Sequence, residues 1–300
     1  MTSRKRIAIS FLGKTKIVAH EVELPQFATR RARSLFSFLV LNRGQFHRRE
    51  YLADLLWPEK DGGGNHSSLR TELWRIRTAF TKACHGIGRI FEEQDNSIRF
   101  RPSAECSLDI DEFNSCIIVP AGSAPSSTAL LRAVELYQGD LLPSLEEDWC
   151  VYHRELYRAR HLSALEQLVE YSMKLRKWSE AIDYGLRLLV QDPVAEHVHC
   201  KIIRCHVAMG NRAAAIRQFE ICQARMIADL GVKPLAETQR LFETIAKNGS
   251  ETIATPLKDP ICPQDFRAPN ILESLASTRS YLQKAANALE STISGIRNSK

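Results

Sequence analysis

Three hundred residues, 44% hydrophobic and 25% charged, make a chain of about two domains at ~150 residues each. The balance is that of ordinary folded protein; it excludes wholesale disorder, a collagen-like repeat and a disulfide-stapled miniature. The longest nearly apolar run, Ser34–Leu41, is far short of the ~18–20 residues of a membrane span. Ile7–Leu12, behind Arg4-Lys5-Arg6, is too short for the core of a signal peptide, so a cytoplasmic, nucleoid-associated protein without membrane contact is expected. The net charge of +6 is unevenly spread: residues 1–103 carry +9 and residues 104–300 carry −3. A basic front implies a polyanion partner for that part alone. The eight cysteines form no C-x-x-C pair and are expected to be reduced, mostly small core residues.

In chain order, Arg6–Leu12 and Lys16–Glu23 read as two strands around Gly13-Lys14. A helix is expected over about 28–42, with Ala32, Leu35, Phe36, Leu39 and Val40 on one face and Gly44 as the left-handed residue after it. A second helix, about 48–56, carries Tyr51, Leu52, Leu55 and Leu56, and Trp57-Pro58 closes it. Asp61–Gly64 is a connector. The third helix, about 65–82, repeats Leu69, Leu73, Ile76 and Phe80 at steps of 4, 3 and 4. Ile87–Glu92 and Ser97–Arg101 form a hairpin around residues 93–96, with Ile98 and Phe100 on one face. Two strands, three helices and a hairpin are the layout of a winged helix-turn-helix with an N-terminal β-sheet.

Residues 104–125 read as a linker, richest in small residues at AGSAPSS, although 109–113 could pack back on the front domain. From Ser126 to about 246 the pattern is helical throughout. Leu168/Ile202, Met173/Val207, Leu175/Met209, Ala181/Ala215 and Ile182/Ile216 match at an offset of 34, the spacing of tetratricopeptide helix pairs. Residues 247–269 hold four prolines and read as a second linker. Ile271, Leu275, Thr278, Leu282, Ala285, Leu289, Ile293 and Ile296 then make a near-heptad seam over 270–300. Homodimerisation through that seam, docking on the chain's own repeats and a helix that frays all fit it. The expected fold class is therefore mainly α, a winged helix followed by tetratricopeptide-like α-helical repeats.

On a helical wheel, the face of the third helix opposite its leucines holds Ser67, Thr71, Trp74 and Thr78, flanked by Arg70, Arg75 and Arg77. Such a helix fits the B-DNA major groove, where Arg reads guanine and Thr or an aromatic meets the thymine methyl. The alternative for Trp74 is packing against the hairpin or a second domain. Arg48 and Arg49 start the second helix, where free N–H groups also favour phosphate. Arg30, Arg31 and Arg33 cluster at the start of the first, and Arg89, Arg99 and Arg101 lie on the wing. Each alone is as compatible with a solvated surface as with a phosphate. Together they point to double-stranded DNA and a steep salt dependence.

The run SLFSFLVLNRGQFHRREYLADLLWPE followed by SSLRTELWRIRTAF resembles the OmpR-like DNA-binding domain of the Streptomyces antibiotic regulatory proteins. LYQGDLLPSLEEDWCVYHRELYRARHLSALEQLVEYS and ADLGVKPLAETQRLFETI resemble the bacterial transcriptional activator domain that follows it, with Gly139-Asp140, Asp148-Trp149, Arg154, Leu230-Gly231, Pro234 and Thr238 in place. The resemblance covers about 1–246. It implies a transcription activator that binds direct repeats near promoters and contacts RNA polymerase, with Ser67–Phe80 as recognition helix and Ile87–Arg101 as wing. His47 stands where the family often has a Ser or Thr cap, and Trp74 is not demanded by the pattern.

No P-loop surrounds Gly62–Gly64 and no G-x-S-x-G is present. His197, His199, Cys200, Cys205 and His206 do not converge as zinc ligands on one helix, and Glu146-Glu147-Asp148 reads as a solvated helix start. No enzyme activity, cofactor or metal is expected. The domain reading is 1–103 DNA-binding, 104–125 linker, 126–246 activator domain, 247–269 linker and 270–300 helix. An effector ligand or peptide would suit the repeat groove. The rival reading is a tetratricopeptide-type adaptor whose basic front binds RNA or a protein.

Overall fold

A computed structural model describes residues 6–19, 21–57, 64–83, 89–102, 105–120 and 123–247. The expected Pro-containing linker from 248 on, the 270–300 seam and most of the 61–64 connector lie outside these residues. β1 (Arg6–Ser10) and β2 (Lys16–Ala19) pair antiparallel, and their alternation turns Ile7, Ile9, Ile17 and Ala19 inward. The second expected strand is in fact two: Glu21 takes φ +67°, and the chain turns before β3 (Val22–Glu23).

α1 (Arg30–Leu41) is capped by Thr29, whose Oγ1 accepts from the Ala32 N–H at 3.0 Å. All five residues expected on its inner face are buried. It ends at Asn42, whose side-chain amide donates to the Phe38 carbonyl at 2.9 Å. The helix end is satisfied that way, so Gly44 is not left-handed, contrary to the expectation. β4 (His47–Arg48) leads into α2 (Arg49–Leu56), which buries Leu52, Ala53 and Leu56. Tyr51, expected on the apolar face, is instead 52% exposed and stacks on His47. Arg48 is the N-cap and gives no side-chain hydrogen bond. His47 is buried, with Nε2 3.0 Å from the Asn42 carbonyl and its ring edge-on to Phe38.

α3 (Gly64–Ala83) follows, then β5 (Phe91–Gln94) and β6 (Ser97–Phe100). The hairpin turn is two residues, Asp95 and Asn96, at φ +43° and +61°, which suits the twist of paired strands better than the four-residue turn expected. Glu93 is therefore a strand residue opposite Ile98, and Glu92 lies opposite Arg99. β4 pairs with β6, so the second sheet runs β4-β6-β5.

The expected linker 104–125 carries real structure: β7 (Glu105–Leu108), α4 (Asp109–Ile117) and the approach to α5 (Ser127–Leu136). β7 adds in parallel to the open edge of β1, giving the order β3-β2-β1-β7. The Asp109 carboxylate accepts from the Phe11 and Leu12 N–H groups at 2.7 and 2.9 Å, so the segment packs back on the front, as 109–113 allowed.

Residues 137–147, expected as helix, are not helical. They run along the end of β1: Leu142 N–H donates to Phe11 at 3.0 Å, Gly13 N–H to Asp140 at 3.1 Å, and Leu12 bridges Leu141. Gly13 has φ +100°, and a Cβ there would sit 3.1 Å from Gln138 backbone, so only glycine fits the crossing. Arg154 holds the stretch in shape by donating to the carbonyls of Leu141, Leu142 and Leu145.

The remaining helices are α6 (Asp148–Lys174), α7 (Trp178–Gln191), α8 (Glu196–Ala208), α9 (Arg212–Leu230) and α10 (Ala236–Lys247). The 34-residue offset carries the end of α6 onto the end of α8 and the start of α7 onto the start of α9. Burial repeats with it: Leu168 and Ile202 are buried, Ala181 and Ala215 are buried, and Leu175 and Met209 are both about half exposed. Gly231, at φ +69°, ends α9 in a left-handed cap. His199 is a core residue, with Nδ1 2.7 Å from Gln218 Nε2 and Nε2 3.0 Å from the Pro193 carbonyl. Burial lowers its pKa. Cys200 Sγ lies 3.2 Å from Thr238 Oγ1. None of the described helices is long and apolar enough to cross a membrane.

One continuous core runs from Ile7 and Ile9 through Leu35, Leu69 and Ile98 to Leu141, Cys150 and Tyr157. The winged-helix front and the start of the helical region thus share buried side chains, and the chain up to Lys247 is one compact unit.

Candidate nucleic-acid interface

α3 is held from below by Leu69, Leu73, Ile76 and Phe80, all 2% exposed or less. Phe80 packs into an aromatic group with Phe27 and Phe36, at ring centroids of 6.3 and 5.6 Å. Glu72 is also buried. It accepts from Thr29 Oγ1 at 2.6 Å and from Arg75 Nη1 at 2.6 Å, which ties α3 to the cap of α1.

The opposite face is open. Ser67, Arg70, Thr71 and Trp74 are exposed, and Arg75, Arg77 and Thr78 are partly exposed. Trp74 is 62% exposed, so the alternative of an indole packed under the wing or a second domain does not hold. Thr71 Oγ1 donates to the Ser67 carbonyl at 3.0 Å, which leaves the hydroxyl's lone pairs outward.

The flanking arginines are mostly held by carboxylates that the sequence reading passed over. Glu93 on β5 accepts from Arg49 at the start of α2, at 2.5 Å, and from Arg77 on α3. Glu92 accepts from Arg99 at 2.7 Å and Arg101 at 3.0 Å, and those hydrogen bonds hold its carboxyl below the ordinary glutamate range. Arg99 also lies over the Phe46 ring at 4.3 Å. Arg77 and Arg89 line one groove between α3 and the wing. Arg48, Arg70 and Arg89 have no ion-pair partner among the described residues. The structure therefore brings α2, α3 and the hairpin together through Glu93.

Two expectations change. The Arg49 N–H is not free for phosphate: it donates to the Asn96 carbonyl of the hairpin turn at 3.0 Å. The cluster at the start of α1 is engaged elsewhere. Arg30 pairs with Glu146 and Glu147, Arg31 lies over the Trp57 ring at 5.8 Å, and Arg33 donates to Gln26. The acidic run 146–148 is thus partly a clasp for Arg30. Glu92 and Glu93 were legible in principle, since a two-residue turn at Asp95-Asn96 places Glu92 across from Arg99. The Glu72–Arg75 pair was legible from its i,i+3 spacing, while the tie from Glu72 to Thr29 gave no such signal because Thr29 is distant in sequence.

A model of the bacterial transcriptional activator domain matches residues 121–246. Regulatory protein DnrI of Streptomyces peucetius is 22% identical over 233 residues, covering 73% of this chain and 84% of DnrI. The structure of Mycobacterium tuberculosis EmbR in complex with low affinity phosphopeptide matches with a TM-score of 0.64 at 17% identity, over 85% of this chain and 67% of that one. At that identity the likeness is one of fold: a winged-helix front followed by helical repeats.

Proposed function

We propose that the chain is a transcriptional activator of the Streptomyces antibiotic regulatory protein type, as the matched activator domain and the likeness to DnrI support, that it binds double-stranded DNA through α3 and that it contacts RNA polymerase through its helical repeats. α3 enters the major groove, where Arg70, Thr71, Trp74 and Arg75 meet base edges and Ser67 and Thr78 lie at the margins. Arg48, Arg49 and Arg77 follow one phosphate strand, and Arg89, Arg99 and Arg101 carry the wing along the other. The observation that carries this reading is the division of α3, apolar side sealed and polar, indole-bearing side open to solvent. Direct repeats near promoters are the expected operators, read by two copies. The 270–300 seam supplies the dimer contact, and deleting it should lower the mass seen by light scattering. Because β7 and α4 pack on the front, the proposed DNA-binding unit extends past 103, with 126–246 and 270–300 as the other proposed parts and an effector or peptide suited to the repeat groove.

The test is to recover genomic fragments bound by the full chain, then measure affinity for a recovered site and for random duplex over a range of salt. The proposal expects a preference for the site and a falling affinity with salt. Equal affinity for all duplexes would instead fit the adaptor reading, in which the basic front has no reading face.

A further inference from the structure

A cavity of about 480 Å³ lies on the side of the winged helix away from the open face of α3, where the Gly13–Thr15 turn, residues 24–27 and α1 meet residues 138–144. Its size falls in the ~300–1,000 Å³ range of small-molecule sites, which favour junctions of this sort. Its floor is apolar, made by Ile17, Leu24, Phe27 and Phe36. Three charged side chains also line it: Lys14, Arg33 and Asp140.

The acid is already engaged, since Asp140 Oδ1 accepts from the Tyr137 hydroxyl at 2.9 Å. The guanidinium is not fully satisfied. Arg33 Nη1 reaches Gln26 Oε1 only at 3.4 Å, and Arg33 Nε is buried with no hydrogen-bond partner. A buried donor on a charged group is costly to leave unpaired. Lys14, exposed, lines the same cavity, so with Asp140 the three charged side chains leave a net positive charge.

We propose that this cavity binds a small amphipathic acid, with an apolar aliphatic or aromatic body on Phe27 and Phe36 and a carboxylate on Arg33 and Lys14. A carboxylate matches the guanidinium edge in a way a neutral alcohol does not. The occupant would touch both the winged-helix front and the 138–144 stretch that leads into α6. Its floor is also backed by Phe80 of α3, which packs on Phe27 and Phe36. Binding in this cavity needs no DNA and stands apart from DNA binding through α3.

The experiment uses the full chain with 1-anilinonaphthalene-8-sulfonate, an aromatic body with an anionic head, as fluorescent probe. Saturable emission at one probe per chain is expected. Decanoate should displace it at least tenfold more effectively than decan-1-ol. Arg33→Gln should weaken probe binding at least tenfold, and Thr15→Trp, at the cavity wall, should block it, with circular dichroism unchanged. Should Arg33→Gln fail to fold, Thr15→Trp carries the test alone. No saturable site on the folded wild type, equal displacement by the alcohol, or binding that survives Thr15→Trp would overturn the proposal.

Discussion

Glu93 offers a quantitative handle on the proposed interface. It joins Arg49 and Arg77, so three charged groups present a net of only one positive charge to a phosphate strand. Glu93→Gln removes the carboxylate's charge and leaves both arginines in place. Their side chains and that of Glu93 are between about a quarter and a half exposed, where an ion pair contributes only ~0–1 kcal/mol to stability, so the fold should persist. For B-DNA the slope of log affinity against log salt steepens by ~0.9 for each further phosphate neutralised. Between about 50 and 200 mM salt, one extra phosphate makes affinity fall ~3.5-fold further than in the wild type. Fluorescence anisotropy with a labelled duplex across that range reads this directly. Parallel lines for the two proteins would mean that Arg49 and Arg77 do not lie against phosphate. Weaker binding by the variant at every salt concentration would mean that Glu93 serves by holding the arginines in position.

Trp74→Ala and Arg70→Ala should each cost ~1–3 kcal/mol on a recovered site and much less on random duplex; equal loss on both in a competition assay would assign them to the backbone. His161 is buried, stacked on Tyr137 at 4.1 Å, and its Nδ1 has no partner. Burial, then the charge of Arg187, lowers its pKa to about 4. Since the unfolded chain takes up the proton near pH ~6.5 and the folded one only near 4, its share of stability is intact above ~6.5 and lost as pH falls towards 4. Urea denaturation should show ~2 kcal/mol less stability at about pH 5 than at about 7.5 from this group, a difference that His161→Phe removes; identical pH profiles would refute it. Gly185→Ala would place a Cβ 2.8 Å from Ile202 Cγ1 in the α7–α8 contact, costing ~1–3 kcal/mol by overpacking. Thermal melts should show partial rescue by adding Ile202→Ala; full stability of the single variant would mean that the helices part freely.

Periodicity made the helices legible because each buries one stripe: Leu69, Leu73, Ile76 and Phe80 fix where α3 sits and therefore which side stays open. The 34-residue offset was legible for the same reason, since Ala181 and Ala215 fill equivalent buried positions. What escaped was set by partners far along the chain. β7 is a strand because β1 has an open edge 100 residues earlier, and its sequence, Glu-Cys-Ser-Leu, has little strand character of its own. The helical reading of 137–147 passes over Gly139 and Pro143, which interrupt a helix, and the backbone groups of this stretch are taken by Phe11, Gly13 and Arg154. Among the site residues, type and exposure were readable while pairing was not. A wheel places Arg75 and Arg77 on the flanks of α3 and sets Glu72 one turn before Arg75, yet only the fold shows that Glu72 also holds Thr29 and that Glu93 is waiting for Arg77.

The motif residues of the activator domain acquire a physical meaning from this packing. Asp140 supplies the carbonyl that receives the Gly13 N–H, Trp149 packs edge-on against Phe38 of α1 at 5.4 Å, and Arg154 closes the turn that carries Leu141 and Leu142 into the shared core. These positions fix the winged helix to the first helices of the repeat region. A linker between the two would let the reading helix and the repeats sample many relative placements. A shared core with Phe38, Cys150 and Tyr157 inside it allows few, because buried side chains at crystal-like density resist sliding. A partner bound to the repeats is then held at a defined place relative to α3, which is what an activator needs if it is to seat polymerase beside the site it reads.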